Sequence, residues 1–286
     1  MYSTLSYNYV LCMLPRHYFN NIEYTKWPFF IAVWVFFFIY ILVLFLNKYL
    51  IVELPLLFFC FFIFVLNMYY WFYDMLIESF YLGRYNRKIR SSIVFGFFLF
   101  LVSEIMLFSG FFWSFFDRIF HITVSTFGTT TLNGIERIQW SNIPLIATLV
   151  LVSSGYLANV SYYYFRFQSY HSITYLLSTI VLACLFLLLQ VQEYIELNFT
   201  ISDSVYSSLF FLLTGFHGVH VLVGTLFLCV AFDRIFMLQY NSNRHLFLGV
   251  ALIYWHFVDI IWIFLFIFVY LLTHINCYLY SFHIEN

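Results

Sequence analysis

The chain reads as an all-α polytopic membrane protein with seven transmembrane helices, a two-helix hairpin followed by a five-helix bundle. Composition is the first reason: of 286 residues, 64% are hydrophobic and only 9% charged, against the roughly 25% charged residues of soluble domains. The second is that the apolar runs are continuous and about 20 residues long, the length a helix needs to cross the hydrocarbon core. The third is the pattern within those runs, since barrel strands alternate apolar with polar residues and these segments do not.

Residues 1–26 form a polar and aromatic lead-in holding Arg16, His17, Glu23 and Lys26. The first span covers 27–46, and Pro28 stands in its first turn, where the missing N–H costs nothing. Lys48 and Glu53 mark a short turn, and Pro55 opens a second span over 55–74, so the two helices make an antiparallel hairpin. A polar stretch, 74–90, carries Glu78, Arg84, Arg87, Lys88 and Arg90. The third span, 92–116, has Glu104 near its middle, and the longest loop, 117–142, is rich in Thr and Gly. Pro144 begins the fourth span, 144–165, which a tight turn at 166–171 joins to the fifth, 173–192. Glu193, Glu196 and Asp203 make an acidic loop before the sixth span, 205–232. The seventh span, 249–272, leads into a short tail, 273–286. One membrane domain, 27–272, with a cleft between the first helix pair and the other five, is the expected organisation.

Seven spans put the termini on opposite faces. Nine of the twelve Lys and Arg residues fall on the N-terminal side (Arg16, Lys26, Arg84, Arg87, Lys88, Arg90, Arg166, Arg234, Arg244) and three on the other (Lys48, Arg118, Arg137). The positive-inside rule then places the N-terminus on the matrix or cytoplasmic face. A net charge of −1 and the lack of a basic block give nucleic-acid binding no support. The five cysteines (Cys12, Cys60, Cys184, Cys229, Cys277) are far apart, with no Cys-x-x-Cys, and read as packing residues. No removable signal or transit peptide is expected at the N-terminus. Forty-one Phe and 25 Tyr against 10 Gly point to an AT-rich coding genome, such as an organellar one.

Function is sought in the few polar residues that the bilayer must accommodate. Glu104 is the most expensive, because a mid-bilayer carboxylate costs about 2.5–3.5 kcal/mol even on insertion scales. It reads either as a proton-handling or lipid-contacting carboxyl or as a neutral group hydrogen-bonded for packing. In residues 215–224, GFHGVHVLVG, the i, i+3, i+7 spacing puts His217, His220 and Gly224 on one helical face. Gly215, Gly218 and Gly224 mark close helix approach, and His220 is expected to bond Glu104 across it. Two histidines at i, i+3 on one helix cannot flank a single haem, and only His256 could serve as a facing ligand. Asp259, three residues after His256, shares its face; the pair reads as a locally satisfied helix–helix contact or as one able to share a proton.

These residues stand in motifs that resemble cytochrome c oxidase subunit III. The motifs are residues 103–116 (SEIMLFSGFFWSFF), 199–205 (FTISDSV), 215–228 (GFHGVHVLVGTLFL) and 254–265 (YWHFVDIIWIFL), with 71–83 (WFYDMLIESFYLG) and 188–194 (LLQVQEY) in support. They occur in the family's order, and the matching blocks reach from about residue 27 to 272. The resemblance implies a subunit with no metal of its own, the haems and copper belonging to partner subunits. It implies partners in subunits I and II and accessory subunits, and a location in the mitochondrial inner membrane or, as second choice, a bacterial plasma membrane. The implied role is to stabilise the catalytic subunit and assist proton uptake, with Glu104 as the family's reactive buried carboxyl. Phospholipids are expected in the cleft, with head groups near Glu78, Arg84 and Arg234. The chain departs from the family at Val160, Tyr162 and Tyr163, at Tyr73 and Ile77, and at Gly249, which bears on lipid contacts and the local proton relay. The alternatives are a seven-helix proton channel or transporter using Glu104, His217, His220, His256 and Asp259, and a haem-binding carrier, which would show a Soret band as an isolated chain.

Overall fold

The computed structural model describes residues 24–46, 54–81, 83, 85–120, 139–240 and 245–272. Among the described residues the secondary structure is helical throughout: α1 (Trp27–Leu46), α2 (Leu54–Leu76), α3 (Arg87–Phe120), α4 (Ile143–Arg166), α5 (His171–Glu196), α6 (Val205–Phe236) and α7 (Leu246–Leu265). α2 and α7 each run on into a π-helical segment, Ile77–Tyr81 and Phe266–Leu271. All seven are long and apolar enough to cross a membrane.

The helices overrun the expected spans, and the reason is physical. Sequence reading stops a span at its first charge, but helical hydrogen bonding continues through the interface, where long charged side chains reach water. Thus α3 starts at Arg87 and has 34 residues, about 51 Å of helix against a hydrocarbon core of about 30 Å. The polar stretch at 74–90 is corrected likewise: Asp74 lies within α2 and Glu78 in its π-helical extension. Glu193 and Glu196 belong to α5 and not to a loop. The lead-in up to residue 23, the tail, Lys48, Glu53, Arg84 and most of the long loop fall outside the described residues, as do Cys12 and Cys277. Cys60, Cys184 and Cys229 are free thiols within spans.

Two compact units divide the chain, Met1–Ile93 and Val94–Asn286. In the first, α1 and α2 pair as a hairpin. Trp27 Nε1 donates to Asp74 Oδ2 at 2.6 Å, and its ring stacks on Tyr70 at 5.8 Å. In the second, α4 and α5 form a tight hairpin, α5 and α7 flank α6, and α7 also touches α4. Its centre is aromatic: Trp255, Trp262, Tyr254, Phe186 and Phe210 are fully buried.

Helix ends on both sides have identifiable stops. α4 and α6 each end in a left-handed residue, Gln168 (φ 55°) and Leu238 (φ 54°). The next amides fold back, Ser169 N to Tyr164 O and Gln239 N to Arg234 O, which satisfies terminal carbonyls. At the start of α6, Ser204 and Ser207 form a reciprocal capping box, each side chain taking the other's backbone N–H.

Candidate functional site

The expected partnership of Glu104 is present. Midway along α3 its Oε2 lies 2.6 Å from Nε2 of His220 on α6, and His220 Nδ1 lies 2.6 Å from the Phe216 carbonyl. A carbonyl only accepts, so Nδ1 carries a hydrogen. The Nε2···Oε2 bond therefore holds one proton, either on the carboxyl beside a neutral ring or on an imidazolium beside a carboxylate. In both forms the pair is neutral overall, which is how a carboxyl becomes tolerable at this depth. Phe108, one turn after Glu104, sets its ring edge-on against the His220 ring, centroids 5.1 Å apart.

His217 does not join this pair. A difference of three residues is 60° around a helix, enough to aim His220 at α3 while His217 points between α5 and α7. There its ring meets Phe186 (5.8 Å, edge-on) and Trp262 (5.1 Å), fully buried, with no hydrogen-bond partner for either nitrogen among the described residues. Of the three glycines expected at a close contact, only Gly224 makes one. A Cβ there would lie 3.0 Å from Trp255 Cε3, whereas one at Gly215 would meet nothing nearer than 3.9 Å and one at Gly218 nothing within 4 Å. Two of the three glycines are thus not set by packing.

His256 and Asp259 form a second cluster, with α4. His256 Nδ1 is 3.5 Å from Asp259 Oδ2, and Nε2 donates to Asn159 Oδ1 at 2.9 Å. Gly155 on α4 makes room for the carboxylate, because a Cβ there would collide with Asp259 Oδ2. Beside it Trp255 Nε1 donates to Ser154 Oγ at 3.1 Å. Asn159, Gly155 and Ser154 are missed by sequence reasoning. The only available signal was the small-residue run 153–155, Ser-Ser-Gly, inside an apolar span.

A third polar group, also missed, surrounds Glu193 of α5, which is buried. Gln190 Nε2 donates to Glu193 Oε2 at 3.0 Å, and the hydroxyl of Tyr270 faces the same carboxyl. Nearby Tyr194 donates to Thr214 Oγ1 at 2.7 Å, because the Thr214 hydroxyl hydrogen already serves the Phe210 carbonyl.

The residues expected at lipid head groups are dispersed. Glu78 is buried in the π-helical turn after α2. It helps line a cavity of about 420 Å³ with Lys26, Trp27 and Asp74, so both charge signs are available there. Burial first, and the negative charge of Glu78 second, push the Tyr85 phenol up. Arg234, at the end of α6, lays its guanidinium over the Tyr240 ring at 4.4 Å and near that of Phe247 at 5.6 Å. Burial pushes the Tyr240 phenol up, against the opposing pull of the Arg234 charge. Arg84 lies outside the described residues. No group of three or more His, Cys, Asp or Glu able to hold a metal ion occurs among the described residues.

Residues 17–274 match the family model described as cytochrome c oxidase subunit III. A cytochrome c oxidase subunit 3 of Allomyces macrogynus is 42% identical over 205 residues, covering 71% of this chain and 75% of that protein. The protein of the same name from Ovis aries is 38% identical over 207 residues, 72% of this chain and 79% of the relative.

Proposed function

The chain belongs to the cytochrome c oxidase subunit III family, and from that premise we propose that it steadies the catalytic subunit and assists proton uptake without a redox centre of its own. Membership makes it a membrane subunit of a respiratory oxidase, working in a complex with other oxidase subunits. Subunits I and II, which carry the haems and copper, are its proposed neighbours, together with accessory subunits. The mitochondrial inner membrane, with the N-terminus in the matrix, is its proposed setting; the nine-to-three distribution of Lys and Arg supports that orientation. Bound phospholipid is proposed at the Glu78 cavity and at Arg234.

The observation that supports the proton role is the 2.6 Å contact between Glu104 Oε2 and His220 Nε2, midway along α3, with His220 Nδ1 committed to the Phe216 carbonyl. A carboxyl that can pass its proton to a paired imidazole without changing the pair's net charge is a proton-holding group of low electrostatic cost. Glu104→Gln is the direct test: the amide donates to His220 Nε2 as the carboxyl does, so packing survives, but the exchangeable proton is gone. The expected result is an assembled oxidase with slowed proton uptake. Loss of assembly, with uptake normal in whatever complex forms, would reduce Glu104 to a packing group.

A further inference from the structure

Outward-facing polar groups within membrane spans carry the inference. α4 and α7 meet along the Asn159–His256 bond, and the lipid-side surface of that seam is not uniformly apolar. Tyr156 is 70% exposed, Asn159 is exposed, and the side chain of His256 is 33% exposed. All three lie at least seven residues from the nearest helix end, about 10 Å along the axis, inside segments long and apolar enough to cross a membrane. The flanking residues Val152, Ile253 and Ile260 are apolar and more than half exposed.

Lipid tails cannot satisfy these groups. A hydrogen-bonding group left open to hydrocarbon has no partner to replace water, and intramembrane polar residues accordingly face protein or enclosed water. The Oδ1 atom of Asn159 is taken by His256, and the exposed residue still has two amide hydrogens to place. A phenol hydroxyl stands one turn earlier on the same stripe. Ser153, small and exposed, keeps this stretch of α4 slim, which suits close approach by another helix.

We infer that the α4–α7 face centred on Tyr156, Asn159 and His256 is a docking surface for a transmembrane helix of another oxidase subunit. That helix presents a hydrogen-bond acceptor, such as a Ser or Thr hydroxyl, at the depth of Asn159. The inference rests on the chain working inside an oxidase complex.

Carbene labelling of the native complex tests it. The complex is purified in mild detergent, returned to phosphatidylcholine bilayers containing a diazirine phospholipid, photolysed and mapped by mass spectrometry. Tyr156 and Asn159 should show a several-fold loss of labelling relative to the same subunit after it is separated from all other chains. Equal labelling in both states would put the face in lipid and overturn the proposal. Protection that persists in the separated subunit would place the cover within this chain and overturn it too. A preparation without any other oxidase subunit would count against the complex itself, a separate failure. In variants, Asn159→Leu should let partner subunits dissociate at lower detergent concentration, and Asn159→Gln should restore their retention.

Discussion

The residues that decide this structure are small and polar, and their effects diverge at chemically identical positions. Gly155 and Gly218 are both helical glycines in spans. At Gly155 a methyl group would drive into Asp259, and His256 Nδ1 lies 3.5 Å away, so the collision is with a polar cluster that is already in use. Gly155→Ala should cost roughly 1–3 kcal/mol, the range of overpacking. Gly218→Ala meets open space and should gain about 0.5–1 kcal/mol through helix propensity. Thermal unfolding of the two variants in detergent measures both; a destabilising Gly218→Ala would mean that something unseen fills that space. The contrast also shows what was legible. The bond between His220 and Glu104 could be anticipated because each is a costly group at mid-span with few others available to satisfy it. The roles of Gly155 and Asn159 could not, since one sequence gives each helix's periodicity but not which neighbour its faces meet. Gly224 and Gly218 look alike in sequence for the same reason.

At the scale of the element, existence and order were readable and ends were not. Continuous apolar runs fix where helices cross lipid, but interfacial turns follow backbone hydrogen bonding, so α5 carries Glu193 inside the fold although its charge suggested a loop. The loop that follows does contain a genuine acidic device. Asp203 accepts from the Thr200 amide at 2.6 Å and from its hydroxyl at 2.8 Å, and these bonds hold its carboxyl below the ordinary 3.8. A folded value below the unfolded one means the bonds contribute fully above the unfolded pKa and fade as pH falls through the folded one. Protection of the Thr200 amide from hydrogen exchange should therefore persist down to about pH 4 and decline below it; a decline near neutrality would assign the turn to some other group. The helix stops make a second prediction. Leu238 adopts a left-handed conformation that costs a branched residue about 1 kcal/mol, so Leu238→Gly should raise stability by about that amount. Chemical denaturation of the reconstituted subunit reads the difference, and an unchanged or lower midpoint would show that the turn is not strained.

At the scale of the whole molecule, the sequence divides its cations unevenly between the two faces that seven spans would create. Of its twelve Lys and Arg residues, the three on the minority side are single, while Arg84, Arg87, Lys88 and Arg90 cluster on the other. Such clusters resist translocation, because each cation must lose hydration to cross and the cytoplasmic or matrix side is electrically favoured. With seven spans the orientation of one loop fixes all the others. The turn 167–170 should lie on the same side as the N-terminus, and the turn 197–204 on the opposite side. A membrane-impermeant maleimide applied to sealed inner membranes with their outer face exposed tests this with one cysteine at a time. Ser202→Cys, in an exposed stretch, should react at once, whereas Ser169→Cys should react only after the membrane is opened. The reverse order would turn the molecule over. It would also exchange the compartments that the two ends of the bundle face: the buried Glu193 group lies toward the 197–204 turn, and the Arg234–Tyr240 pair toward the opposite face. Proton entry from the N-terminal side would meet Arg234 and the cationic helix ends first. Glu104 then stands further in, midway along α3.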